Sequence, residues 1–290
     1  MPPTASQTNR LLGFPDDARL LIINADDFGM CHAINQGILE SIQKGVVVST
    51  SLMVPCPWAL HAMQLLKQNP DIPFSVHLTV ICDQPNYKWT PLTSKEKVPS
   101  LVDEAGHCFP IARMDEFAAQ VDIHELETEF RAQIQTVLDA GLEPTHLDWH
   151  CLHNGGRPDI FEMTFRLARE YGTALRVSPE PYTAFVPEQG LPANEYPLLD
   201  SYGVNVPTKK DIYTRLLREL PVGLSEWAVH PALDTAEMQA VEPGSWEIRW
   251  TDYQFMTSPE ARQLIEQEGI IILDYKPLQA FWQAHQPQDK

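Results

Sequence analysis

The feature that most limits what this chain can become is an alternation. Short apolar, β-branched runs recur along it, separated by longer stretches whose apolar residues fall at helical spacing. Residues 20–25 are almost continuously apolar, as in a strand buried on both faces, and they end at Asp26-Asp27. Ile34, Ile38, Leu39 and Ile42 then follow a helical period, and Gly45 stands where a helix ends. The same reading places strands at 46–54, 73–80, 145–150, 174–178, 224–230 and 270–275. Helices are expected at 58–68, 116–140 and 159–171, from Thr208 (in a capping box with Asp211) to 220, and from Ser258-Pro259 to Gly269. Seven strands alternating with helices build parallel βαβ units. No glycine-rich phosphate loop follows the first strand. The expected fold is therefore α/β: a distorted (β/α) TIM-like barrel of about seven parallel strands. It would form a single domain over 19–290 behind an N-terminal extension, 1–18. Segments 82–110 and 179–207 lack a period and read as long loops of the kind that carry function.

Charge narrows the partners. The 290 residues hold 21 Lys and Arg against 39 Asp and Glu, a formal net charge of −18. Nucleic acids and anionic membranes need clustered basic residues, so neither is an expected partner. The five cysteines form no CxxC pair, which argues against a disulfide framework or a structural zinc site. The first ten residues are polar, unlike a signal peptide, and no run of about 18 apolar residues occurs. A reducing cytoplasm is the expected compartment.

The chemistry-bearing residues gather at the C-terminal ends of the expected strands. Asp26 and Asp27 end the first, His77 lies near the end of the third, and His150 and His230 end the fourth and sixth. In a parallel barrel that end carries the active site. Adjacent carboxylates in a regular strand point to opposite faces, so Asp26 and Asp27 share one site only if the chain turns. Phe28-Gly29 permits a turn; a solvated turn that caps the next helix is the competing reading. His146, Asp148 and His150 alternate with Leu147 and Trp149, and Ser75, His77 and Thr79 alternate with apolar neighbours. A polar row facing a barrel interior is costly unless it is hydrogen-bonded or holds a cation. A lone histidine there would be a satisfied core residue; two such strands favour a metal. An Asp-His-His set leaves coordination positions open, as a catalytic divalent cation requires. Arg249 and Asp252, ahead of the last expected helix, could pair with each other. No GxSxG elbow marks a serine nucleophile.

Several motifs carry a family resemblance. Asn24-Ala25-Asp26-Asp27-Phe28-Gly29, then Asn35-Gln36-Gly37-Ile38, resembles the opening of the YdjC-like (ChbG-type) carbohydrate deacetylases. Ser49-Thr50-Ser51-Leu52-Met53, Val76-His77-Leu78-Thr79, Thr145-His146-Leu147-Asp148-Trp149-His150 and His230-Pro231 follow in family order. Arg249 with Asp252 resembles a late Arg-x-x-acid motif. The resemblance spans about 20–275. It implies an incomplete (β/α) barrel, a divalent cation and hydrolysis of the N-acetyl group of an acetylamino sugar or oligosaccharide. Carried over by motif, Asp27, His77 and His150 are ligands, Asp26 is the general base and His230 the general acid. His146, Asp148, Arg249 and Asp252 stand behind these or near the substrate. After His150 the chain departs from the family, continuing Cys151-Leu152-His153-Asn154. The cation is expected to be magnesium or zinc, the partner a small-molecule or oligosaccharide substrate, and a homodimer is compatible with the sequence. Two rival readings are a metal-dependent hydrolase of another ester or phosphoester, and a silent sugar-binding barrel.

Overall fold

The computed structural model describes residues 6–178 and 185–286. Its organising strand is β1, Arg19–Phe28, every residue of which is buried after the first. The other strands of its sheet are β2 (Ser49–Leu52), β3 (Phe74–Leu78), β4 (His146–Trp149), β5 (Ala174–Leu175), β6 (Leu199–Asp200), β7 (Gly223–Val229) and β8 (Ile271–Ile272). All pair in parallel, in the order β5-β4-β3-β2-β1-β7-β6, and β8 joins the first half of β1 beside β2. This seven-strand path, curled into a half-barrel with helices outside, is the barrel-like α/β domain that the alternation implies. Among the described residues the two end strands do not pair with each other.

The interior of the curl is polar where a barrel core is usually aliphatic. Asn24 and Asp26 of β1, Ser49 and Ser51 of β2, Ser75 and His77 of β3, and His146 and Asp148 of β4 are all buried. They bond to one another across strands: Ser49 Oγ donates to Asn24 at 2.5 Å, and Ser51 and Ser75 donate to the two oxygens of Asp148 at 2.6 and 2.7 Å. Leu21, Ile23, Val76 and Leu147 are buried at the alternate positions and join the hydrophobic core.

Element boundaries depart from the pattern where local chemistry intervenes. The expected helix 116–140 is two helices, α1 (Met114–Gln120) and α2 (Ile123–Asp139), because Asp122 caps the second by accepting from the backbone N–H groups of His124 and Glu125. Thr208 makes no side-chain cap for the helix at Lys209–Arg218, whereas Ser258 does accept from Ala261 N–H. Segment 82–110 is a packed excursion rather than an open loop. Ile81–Cys82 pairs in parallel with Phe109–Pro110, and Trp89, Val98 and Leu101 are buried beneath it. Segment 179–207 hides β6, which pairs with β7; its first six residues lie outside the described ones. Arg249 and Asp252 precede the last expected helix, as read, but sit inside a further helix, Trp246–Met256; helices Pro259–Gln267 and Lys276–Ala284 follow it. All five cysteines are free thiols. Among the described residues no helix is long and apolar enough to cross a membrane.

Candidate metal centre and active-site cavity

The turn that lets Asp26 and Asp27 face one site is made by Asp27 itself. Its φ is +73°, left-handed, and the pairing of β1 with β2 shifts register between Ala25 and Phe28. Such a bulge re-aims a side chain that regular alternation would send outward. The bend is held from behind by Asn35. Its Oδ1 accepts from Gly29 N–H at 2.6 Å, and its Nδ2 donates to Trp58 O at 3.2 Å. Nearby Gly37 permits a close approach: a Cβ there would lie 2.6 Å from the backbone of Ala232, two residues past His230.

The two carboxylates are gripped by different arginines. Arg176, just past β5, donates through Nη1 and Nη2 to both oxygens of Asp26, at 2.8 and 2.9 Å. The same guanidinium lies 3.0 Å from Asp148 and donates through Nε to Glu226 at 2.7 Å. Arg249 is wholly buried and reaches one oxygen of Asp27, Oδ2, at 2.7 Å, while its Nε donates to Glu242 at 2.6 Å. Burial opposes the charge on Asp26, but Arg176 and His77 outweigh it and hold the carboxyl below its usual range. Burial likewise opposes the charge on Asp27, and Arg249 with His150 and His77 holds it well below.

What remains is an unmatched donor set. Asp27 Oδ1 is buried and accepts no hydrogen bond among the described residues. His150 Nδ1 lies 3.1 Å from it and His77 Nε2 3.6 Å. The three ligand atoms fall within 4.8 Å of one another. A buried carboxylate oxygen facing two imidazole nitrogens is what a divalent cation would complete. His77 is oriented for this by Asp148, which lies 2.9 Å from its other nitrogen. Burial disfavours a charged His77, yet Asp148, Asp27 and Asp26 together raise the imidazole to about 9. A second grouping of Asp26, His77 and Asp148 is also close enough for a cation. Its carboxylates are already bonded, Asp26 to Arg176 and Asp148 to two serines and His77.

The donor set opens into a cavity of about 490 Å³, lined by Asp26, Asp27, His77, His150 and His230, with Trp149, Leu152 and Leu198 as an apolar wall. His230 is held at Nδ1 by Ser201 Oγ, 2.8 Å away. Other sequence-derived candidates lie away from the lining. His146 is fully buried, stacked on Tyr275 with ring centroids 3.5 Å apart, and burial lowers it to about 3. Asp148 supports His77 from below. Asp252 does not pair with Arg249; it accepts from Lys209 Nζ, the Tyr213 hydroxyl and His230 N–H, each at 2.8 Å.

Three site residues escaped the sequence reading. Arg176 falls in an expected strand, where a charged residue between apolar neighbours is itself a signal. Glu226 sits two and four residues before Ala228 and His230, so stepping back from His230 by twos reaches it. Asp83, whose Oδ1 lies 3.6 Å from His150 Nε2, opens the segment without a period and gave no pattern.

The chain matches the YdjC-like protein family over residues 20–267. It belongs to that family. A carbohydrate deacetylase of Enterococcus faecalis is 32% identical over 274 residues, covering 89% of this chain and 97% of the relative. A chitooligosaccharide deacetylase of Yersinia enterocolitica is 31% identical, covering 89% and 98%. A crystal structure of an Enterococcus faecalis protein, described as a candidate cellobiose-phosphate cleavage protein, superposes with a TM-score of 0.79 at 30% identity. It covers 90% of this chain and 99% of its own. The YdjC-like fold is thus shared along nearly the whole chain.

Proposed function

We propose that this YdjC-like chain is a carbohydrate deacetylase that removes the N-acetyl group of an acetylamino sugar with the help of a divalent cation. The observation that carries the reading is Asp27 Oδ1, buried without a partner between His77 Nε2 and His150 Nδ1 at the floor of the cavity. Those three residues would hold the cation. Two nitrogen donors with one oxygen suit zinc better than magnesium, which prefers oxygen. A cation so bound supplies Lewis acidity, acidifying water and polarising the amide carbonyl.

The chain's own groups do the rest. Asp26 is kept ionised by Arg176 and takes the proton of the attacking water as general base. Arg176 fixes its carboxylate on both oxygens, so the accepting lone pairs point one way. Asp148 holds the His77 ring, and Arg249 anchors Asp27 by the oxygen that does not face the histidines. His230 lines the opposite wall and delivers a proton to the departing nitrogen. Trp149, Leu152 and Leu198 present apolar surface to a sugar ring and exclude water. The free thiols are those of a protein in a reducing compartment such as the cytoplasm.

The test is acetate release from chitooligosaccharides by the purified protein, paired with metal analysis. About one cation per chain and stoichiometric acetate are expected. Release of another product from an ester or phosphoester panel, with no acetate, would overturn the reading.

A further inference from the structure

We propose that Ser201 is a positioning residue for His230, fixing which ring nitrogen faces the cavity. The step served rests on the deacetylase reading; the geometry does not. Ser201 stands in the short turn after β6, fully buried, with Oγ 2.8 Å from His230 Nδ1. Tyr213 donates to Asp252 Oδ1 at 2.8 Å. Asp252 Oδ2 accepts the backbone N–H of His230, also at 2.8 Å. The ring of His230 is therefore held by Ser201 and its backbone by Asp252, whose charge Lys209 Nζ balances at 2.8 Å. Tyr202 packs edge-on against the imidazole at 4.8 Å, its hydroxyl bonded to Glu242.

The donor inventory sets the direction of these bonds. A carboxylate only accepts, so Tyr213 donates to Asp252. In the imidazolium both ring nitrogens are donors, so the Ser201 oxygen accepts from Nδ1–H. Nδ1 keeps its proton throughout, and Nε2, with no partner among the described residues, is the nitrogen that exchanges one. When the amide C–N bond breaks, the electron pair stays on nitrogen and the Nε2 proton joins it. The imidazolium becomes a neutral ring that still donates from Nδ1 to Ser201. The late Arg-x-x-acid motif then serves two halves of the site: Arg249 touches Asp27, and Asp252 holds the backbone N–H of His230.

Ser201→Ala removes the partner of the ring at Nδ1, and Tyr213→Phe removes only one donor to the Asp252 that holds the His230 backbone. Acetate release from chitobiose and long-range ¹H–¹⁵N NMR of the His230 ring, assigned with His230→Gln, read the two arms. Ser201→Ala should lower kcat about ten- to a hundredfold, within the span of general acid–base effects. KM should stay within about twofold, cation content should be unchanged, and Tyr213→Phe should lose less. The ring should pass from a single Nδ1–H form to a mixture of tautomers. An unchanged ring spectrum, an unchanged kcat, or cation loss in step with kcat would each overturn the proposal. If Ser201→Ala does not fold, Ser201→Cys carries the same two readouts. If the wild type releases no acetate, the deacetylase reading fails, and the ring spectrum alone decides the role of Ser201.

Discussion

Two neighbouring carboxylates, each with its own buried arginine, are treated differently by this fold. Arg176 occupies both oxygens of Asp26, while Arg249 occupies one oxygen of Asp27 and leaves the other facing His77 and His150. The residues are adjacent, equally buried and chemically identical. What separates them is the left-handed turn at Asp27 and the element each arginine comes from: a strand end for Arg176, a helix for Arg249. In the proposed function, a fork laid across both oxygens gives a fixed, ionised base, and a single contact leaves a lone oxygen for a ligand. On that reading arginine geometry, more than sequence position, separates the two roles.

Substitution of the pair gives the largest effect and the sharpest test of this contrast. Asp27→Asn should abolish cation content and acetate release together. Asp26→Asn should retain the cation and lose roughly 10²- to 10⁴-fold in kcat. The opposite distribution of metal, read by elemental analysis, would reverse the assignment.

The arginines come next. Arg176→Met strands Asp26, Asp148 and Glu226, and breaking buried pairs of this kind costs about 3–5 kcal/mol. Arg249→Met strands only Asp27 and Glu242. Thermal unfolding should therefore show the greater loss for Arg176; equal or inverted losses would break the claim that Arg176 is the more heavily used of the two.

A smaller effect tests the floor beneath Arg176. His146 sits at about 3 in the fold, against about 6.5 when unfolded. Below about pH 6.5 the unfolded chain binds a proton that the folded chain refuses. Stability from this group is thus complete above that pH and is lost as pH falls toward about 3, by at most about 1.4 kcal/mol per pH unit. His146→Gln should flatten that part of the stability curve. An unaltered slope would mean that the ring is protonated in the folded protein.

The site was legible in the sequence to the extent that it obeys a period. His77, His146, Asp148 and His150 announce themselves by alternation, because a strand exposes every second residue to one face. Asp26 and Asp27 were harder, since their shared orientation depends on a positive φ that no composition rule predicts for aspartate. Arg176 stands just past a strand of two residues, too short for a pattern to establish itself. Asp83 belongs to the packed excursion, where contacts are tertiary and leave no local signature. The barrel-like alternation was readable throughout, but β6 was not: two residues, Leu199 and Asp200, suffice to pair with β7 and too few to show a period. Helix Trp246–Met256 went unread because its inward face carries Arg249 and Asp252 beside Phe255 and Met256, so charge masks the apolar stripe.

The contact between Gly37 and Ala232 has a consequence for motion. The helix His32–Lys44 and the loop carrying His230 approach more closely than any side chain would allow, and Ala33 O accepts from Leu233 N–H at 3.2 Å just beyond. That wall is a fused joint. Little room is left for that loop, and His230 with it, to shift toward the helix.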